Sequence, residues 1–193
     1  VKNITCGEGG AVISDDEKVI EFVKDARLLG IKKDTQKRYQ GERSWEFDVT
    51  HQGYRYHMSN IFATIGIVQL GRFEQEFKIK RQMLARRYHE ALKALEGITL
   101  LPDDYDRIVP HIFPIRVLNN RRNDLRQCLL DKNIECGIHY YPNHLLTYYG
   151  ARKGQLPVTE QIYNELLTLP LHPDLTEEDQ DRVVQQVKEF FFA

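Results

Sequence analysis

From Asn60 to Leu95 the chain contains no proline, and an uninterrupted run of that length constrains it more than any other feature. A helix interior cannot accept proline without losing a hydrogen bond and clashing. Here Ile61, Ile65 and Val68 form one apolar stripe at helical spacing, and Leu84, Tyr88, Leu92 and Leu95 form a second. Ser59 or Asn60 is placed to cap the start. Glu74–Lys78 and Glu76–Lys80 are i,i+4 pairs in the favourable orientation. At 1.5 Å per residue the helix is about 54 Å long, more than the core of a small domain needs, so it is expected to bridge two structural units. Gly66 and Gly71 are expected to mark a bend or a close contact.

The segment before this helix is read in two parts. Gly7-Glu8-Gly9-Gly10 signals a turn, and Ala11-Val12-Ile13 is a short apolar run, so a hairpin is expected. Ser14 and Glu17 have capping-box spacing ahead of a helix that buries Val19, Ile20, Val23, Ala26 and Leu29 and ends at Gly30. Residues 31–58 are polar with aromatics (Tyr39, Trp45, Phe47, Tyr54, Tyr56) and no clean period. That aromatic content argues for an ordered excursion, one that crosses to another subunit.

Beyond the long helix the pattern is that of a small α+β unit. Ile112 to Leu118 reads as a strand and Arg122 to Lys132 as a helix with Leu125, Leu129 and Leu130 inward. Ile134 to Tyr140 reads as a second strand and Thr159 to Thr168 as a short helix. Thr176 and Asp179 then start a last helix that buries Val183, Val187, Phe190 and Phe191.

Composition removes several function classes. Twenty-seven basic residues face 28 acidic ones, a formal charge of −1, which gives no electrostatic reason to expect nucleic acid or an anionic membrane surface. No apolar stretch approaches the roughly 20 residues that span a bilayer. Cys6, Cys128 and Cys136 form neither a disulfide framework nor a metal site, and a reducing, cytoplasmic setting is expected. The chain opens on Val1 without a signal peptide, inside what reads as a strand and turn, so it is expected to be part of something longer.

Three groups of residues are candidates for chemistry. Lys2, near the chain start, reads by itself as a solvated surface lysine; nucleophilic work requires a partly desolvated amine. His111 opens a strand, and His139 and His144 lie in the aromatic run His139-Tyr140-Tyr141-Pro142-Asn143-His144, where polar residues satisfied at strand ends are the plainer explanation. The Gly7–Gly10 cluster lacks the spacing of a dinucleotide loop and is separated from the next helix, so a tight turn explains it better than phosphate binding.

Taken together, Val1-Lys2-Asn3-Ile4-Thr5-Cys6-Gly7-Glu8-Gly9-Gly10, Gly53-Tyr54-Arg55-Tyr56-His57-Met58-Ser59-Asn60, Gly137-Ile138-His139-Tyr140-Tyr141-Pro142-Asn143-His144 and Leu169-Pro170-Leu171-His172-Pro173 resemble, in order and spacing, the DegT/DnrJ/EryC1/StrS family of nucleotide-sugar aminotransferases. The resemblance runs from residue 1 to the C-terminus. It implies an aspartate aminotransferase-like fold type I, an α/β architecture with an α+β C-terminal part. Residues 1–59 would be the end of a large domain binding pyridoxal 5'-phosphate, with a partner-reaching loop. Residues 60–96 would be the linking helix and residues 97–193 a small C-terminal domain.

The same resemblance implies roles for five residues. Lys2 matches the lysine that carries pyridoxal phosphate covalently and afterwards moves a proton as general base and acid. His57 matches a position that contacts the cofactor phosphate. His111, His139 and Tyr140 match residues near the bound sugar. The implied reaction is transfer of an amino group from glutamate to a nucleotide-linked keto-deoxysugar, first of all at a 4-keto carbon, by a homodimer. Relatives with histidine at the lysine position carry out dehydration, so Lys2 favours transamination. The family has roughly twice this length, and its partner for the pyridine nitrogen, its ring-stacking aromatic and its other phosphate ligands lie upstream of the lysine. This chain alone is therefore expected to be inactive. A sugar dehydratase on the same scaffold and a cofactor-free interaction module are the alternatives.

Overall fold

The computed structural model describes residues 2–31, 48–102 and 104–192. Tyr39, Trp45 and Phe47, on which part of the aromatic-loop reading rests, lie outside the described residues. The chain divides into two compact units: Lys2 and Asn3 with everything from Arg72 onward, and Ile4–Gly71.

In the Ile4–Gly71 unit, α1 is Glu17–Ala26 and α2 is Asn60–Arg72, whose last residue begins the other unit. The cap of α1 is Asp16, not Ser14: the Asp16 carboxylate accepts from Lys18 N at 2.8 Å, while the Ser14 hydroxyl accepts from Asp16 N at 3.1 Å. The two side chains serve the same entry turn, one residue pair later than the sequence spacing suggests. Of the residues expected inside α1 only Ala26 is buried; Val19 and Leu29 are exposed and Ile20 and Val23 are half-buried. Ala11-Val12-Ile13 forms no strand, and Ile13 is 93% exposed. A strand needs a neighbour to take up its hydrogen bonds, and no described segment runs beside it.

Past α1 the chain turns back on itself. Tyr54 N donates to Ala26 O at 2.6 Å, Leu29 N to Tyr54 O at 3.0 Å and Tyr56 N to Arg27 O at 2.9 Å. This crossing requires glycine on both sides. Gly30 has φ +73°, and a Cβ on Gly53 would fall 1.8 Å from Gly30 N.

The long helix forms with Ser59 as its cap, the hydroxyl accepting from Phe62 N at 3.3 Å. It does not run straight through. A five-residue π-helical turn, Phe73–Phe77, follows α2, and α3 continues as Lys78–Leu92. The irregularity falls just after Gly71. Gly66 makes the expected close contact, its Cβ position lying 3.4 Å from Cys6 Cβ. Glu74 pairs with Lys78 at 2.7 Å as its spacing implies, but Glu76 turns back to Arg72 at 2.6 Å rather than forward to Lys80. Ile61, Ile65 and Val68 are exposed, whereas Leu84, Tyr88, Leu92 and Leu95 are buried. Periodicity identifies an apolar face; it does not say whether the same chain covers it.

The larger unit is built on a three-stranded antiparallel sheet in the order β1 (Ile98–Leu100), β2 (Phe113–Val117), β3 (Leu166–Leu169). Phe113, Ile115 and Val117 on the central strand are fully buried, while Pro114 and Arg116 face the other way and are half-buried, the alternation of a one-sided sheet. Against the buried face lie Leu84, Ala85, Tyr88 and Leu92 of α3, Leu125 and Leu129 of α4 (Arg122–Asp131) and Val183, Val184 and Val187 of α6 (Glu177–Phe192). Gln180 of α6 is buried and donates to Leu84 O at 2.7 Å, fastening α6 to α3.

One strand was missed and three expectations are corrected here. Ile98–Leu100 is a strand that the periodicity did not reveal. Ile134 to Tyr140 forms no ladder, only one bridge between Gly137 and Thr168. The short helix α5 is Pro157–Glu165, and the residues after it turn into β3. Leu130 is exposed, with Leu125 and Leu129 carrying the buried face of α4. The capping box of α6 forms as read, Thr176 Oγ1 accepting from Asp179 N at 3.1 Å and donating to the Asp179 carboxylate at 2.6 Å.

Candidate active site

The first turn of α3 holds several distant segments through their main chains. Arg81 and Gln82 lie on its buried side. Gln82 Nε2 donates to Ile108 O at 3.0 Å. Arg81 reaches the carbonyls of Pro110, His111 and Leu171 at 3.3–3.4 Å and that of Lys2 at 3.4 Å. Asn3 adds a direct tie, its Nδ2 donating to Val109 O at 2.9 Å. Lys2 is thus fixed by its main chain while its side chain is exposed, and no described residue holds its amine.

His111 is half-buried at the entrance to β2. Its pKa is pushed below the ordinary imidazole value of 6.5, first by burial and then by the positive charges of Lys2, Arg81 and His139. It is therefore chiefly neutral at pH 7, with one ring nitrogen able to accept a proton and the other to donate. His139 is half-buried in the segment bridged to β3, and its Nδ1 lies 2.9 Å from Thr168 Oγ1. Tyr140 is exposed, its ring set edge-on to His139 with centroids 4.8 Å apart.

Lys2, His111, His139 and Tyr140 consequently share one unit, and Lys2 and His139 both lie close enough to act electrostatically on His111. His57 belongs to the Ile4–Gly71 unit. There it is exposed and lines a concavity of about 460 Å³ with Glu8, Gly9, Gly10, Tyr56, Met58, Ser59 and Phe62. The Gly7–Gly10 turn and the segment before α2, far apart in sequence, thus form one wall.

A model of the DegT/DnrJ/EryC1/StrS aminotransferase family matches residues 1–188. The chain belongs to this family. A curated relative from Methanocaldococcus jannaschii, itself described as uncharacterized, is 37% identical over 196 residues, which is 97% of this chain and 50% of that protein. Among solved structures, the sugar aminotransferase CalS13 of Micromonospora echinospora superposes with a TM-score of 0.84 at 23% identity, over 98% of this chain and 49% of that one, a likeness of fold. The Spr1654 protein of Streptococcus pneumoniae in its PLP-form gives 0.82 at 27% identity, again over 98% and 49%. The chain therefore spans about half the length of the curated and solved relatives it matches, and its mixed helix and strand architecture is that of the aminotransferase fold.

Sequence reasoning singled out Lys2, His111 and His139 but not the residues that contact them or their main chains. Thr168 and Arg81 carry no motif. Arg81 had one available signal: with Phe77, Leu84 and Tyr88 it occupies the buried stripe of a helix, an unusual place for a guanidinium.

Proposed function

We propose that this chain supplies the lysine and the sugar-facing half of a pyridoxal-phosphate-dependent sugar aminotransferase. The observation that carries the reading is Lys2: an amine with no competing acceptor among the described residues, on a main chain whose carbonyl Arg81 reaches, beside an imidazole kept neutral by its surroundings. The residues present fit the cofactor. Lys2 would hold it covalently, and His57, on the segment that would reach the partner subunit, would donate to the phosphate of the partner's cofactor. When bound, the cofactor supplies an aldehyde carbon and an electron-withdrawing ring.

The chain's own residues then divide the work. Lys2 Nζ would act as general base and then general acid, moving a proton from the substrate carbon that bears nitrogen to the cofactor's aldehyde carbon and, in the reverse half-reaction, back again. His111 and His139 orient the sugar by hydrogen bonding through their ring nitrogens, and Tyr140 offers its exposed ring face and hydroxyl. We assign residues 1–59 to the end of the cofactor domain, 60–96 to the linking helix and 97–193 to the small domain. The substrate class is a nucleotide-linked keto sugar, a 4-keto deoxysugar first, with glutamate as donor. A homodimer belongs to the same proposal, and the exposed Ile61, Ile67, Val68 and Leu70 of α2 support a protein contact along that helix.

The test is incubation with pyridoxal phosphate, reduction with borohydride and peptide mass analysis, on this chain and on the whole protein. A pyridoxyl mass on the Lys2 peptide, absent in Lys2→Ala, is the expected result. A folded whole protein with no adduct on Lys2 would overturn the reading. Aminated sugar rather than deoxygenated product would separate transamination from dehydration.

A further inference from the structure

We propose that Arg81 is the positioning residue of this site, fixing the main chain of Lys2 and of His111 together and thereby the directions from which the amine and the imidazole enter. The proposal rests on the reading of Lys2 above, but the geometry behind it stands apart from that reading.

Arg81 is only 4% exposed, and among the described residues no carboxylate pairs with it. Burying an uncompensated cation is unfavourable, and for packing alone an apolar side chain of similar length would serve better. What compensates it is a set of four carbonyl oxygens from three separate stretches of chain: Lys2, Pro110 with His111, and Leu171. At 3.3–3.4 Å these are long for hydrogen bonds, so attraction between the charge and the carbonyl dipoles contributes alongside the individual bonds. Nη1 faces the Pro110, His111 and Leu171 carbonyls and Nη2 that of Lys2, while the buried Nε has no partner among the described residues, so the two terminal nitrogens carry the compensation.

Two of the four carbonyls belong to residues proposed for the chemistry. Of the remaining two, Pro110 precedes His111, and Leu171 belongs to a third stretch, following Pro170, whose carbonyl accepts from the buried Tyr88 hydroxyl at 3.0 Å. Gln82 holds Ile108 and Asn3 holds Val109, so the segment leading to His111 is gripped residue after residue from α3 and from the neighbour of Lys2. Because Leu84, Ala85 and Tyr88 of α3 are buried in the core, Arg81 transmits the position of a rigid helix to both groups. Its charge has a second effect, helping to keep His111 neutral.

The experiment compares Arg81→Lys and Arg81→Met with the wild type in the whole protein. Three readouts are followed: borohydride-trapped pyridoxal phosphate on Lys2 relative to other lysines, the NMR titration of His111, and the Lys2 carbonyl and Asn3 amide chemical shifts. Both variants are expected to label Lys2 at least tenfold more slowly and to move the Lys2–Asn3 peptide resonances. Arg81→Met also raises the His111 midpoint, whereas Arg81→Lys, which keeps the charge, leaves it closer to the wild-type value. Wild-type labelling and unshifted Lys2–Asn3 resonances in a folded variant would overturn the proposal. If Arg81→Met fails to fold, Arg81→Lys decides by the same signals. If the wild type itself gives no Lys2 adduct, the function proposed for Lys2 fails and the peptide resonances alone decide the role of Arg81.

Discussion

The imidazole of His139 lies directly over the α-carbon of Gly137: a Cβ there would stand 2.6 Å from the ring's Cε1. Gly137 exchanges both main-chain hydrogen bonds with Thr168, at 2.8 and 3.0 Å, and the Thr168 hydroxyl meets the same ring at 2.9 Å. Glycine at 137 is thus what lets His139 fold back over its own chain and meet Thr168. Gly137→Ala is expected to expel the ring and break the Thr168 contact while leaving β3 in place. Loss of the His139–Thr168 coupling in NMR, with unchanged circular dichroism, is the outcome to look for; an unmoved His139 resonance would contradict it.

His111 makes stability depend on pH with a definite sign. Its folded-state pKa lies below the ordinary 6.5, so as the pH falls the unfolded chain takes up the proton first. The contribution is complete above about 6.5 and is lost as the pH falls through that value toward the folded pKa. His111→Gln is expected to show a smaller drop in Tm between pH 7.5 and pH 5.5 than the wild type. An equal drop would refute this assignment.

The start of α6 carries a reciprocal cap. Thr176→Ala removes the acceptor for Asp179 N and is expected to cost about 1 kcal/mol, read as a lower midpoint in urea without a change in slope. By contrast Leu125→Ala, which empties a fully buried position beneath the sheet, is expected to cost about 2–5 kcal/mol. A smaller effect at Leu125 than at Thr176 would mean that the core is not where the structure puts it.

Burial pushes the Cys136 thiol up to about 12. Since the thiolate is the reacting species, iodoacetamide at pH 8.5 should alkylate Cys136 in the folded protein on the order of a thousandfold more slowly than in the denatured chain. Peptide mass analysis over time measures this directly, and equal rates would rule out the shielding of this half-buried thiol.

What the sequence determined by itself was whatever depends on local pattern: the long helix and its Ser59 cap, the buried stripe Leu84–Tyr88–Leu92–Leu95, the capping box at Thr176, and the four motifs that mark the family. Each follows from spacing along one stretch of chain. Tertiary structure alone decided the rest. β1 and β3 are three and four residues long, too short for periodicity to register, and exist because β2 offers both edges for pairing. The Ile61–Ile65–Val68 stripe reads like the buried one and is exposed, because burial is a property of the neighbour and not of the stripe. The site shows the same division. Lys2, His111 and His139 are candidates because of their motifs, but the contacts around them come from Arg81 and Thr168, which reach carbonyls and rings from 29 to 90 residues away. Contacts at that separation are chosen by how the core packs, and they leave no spacing to be read.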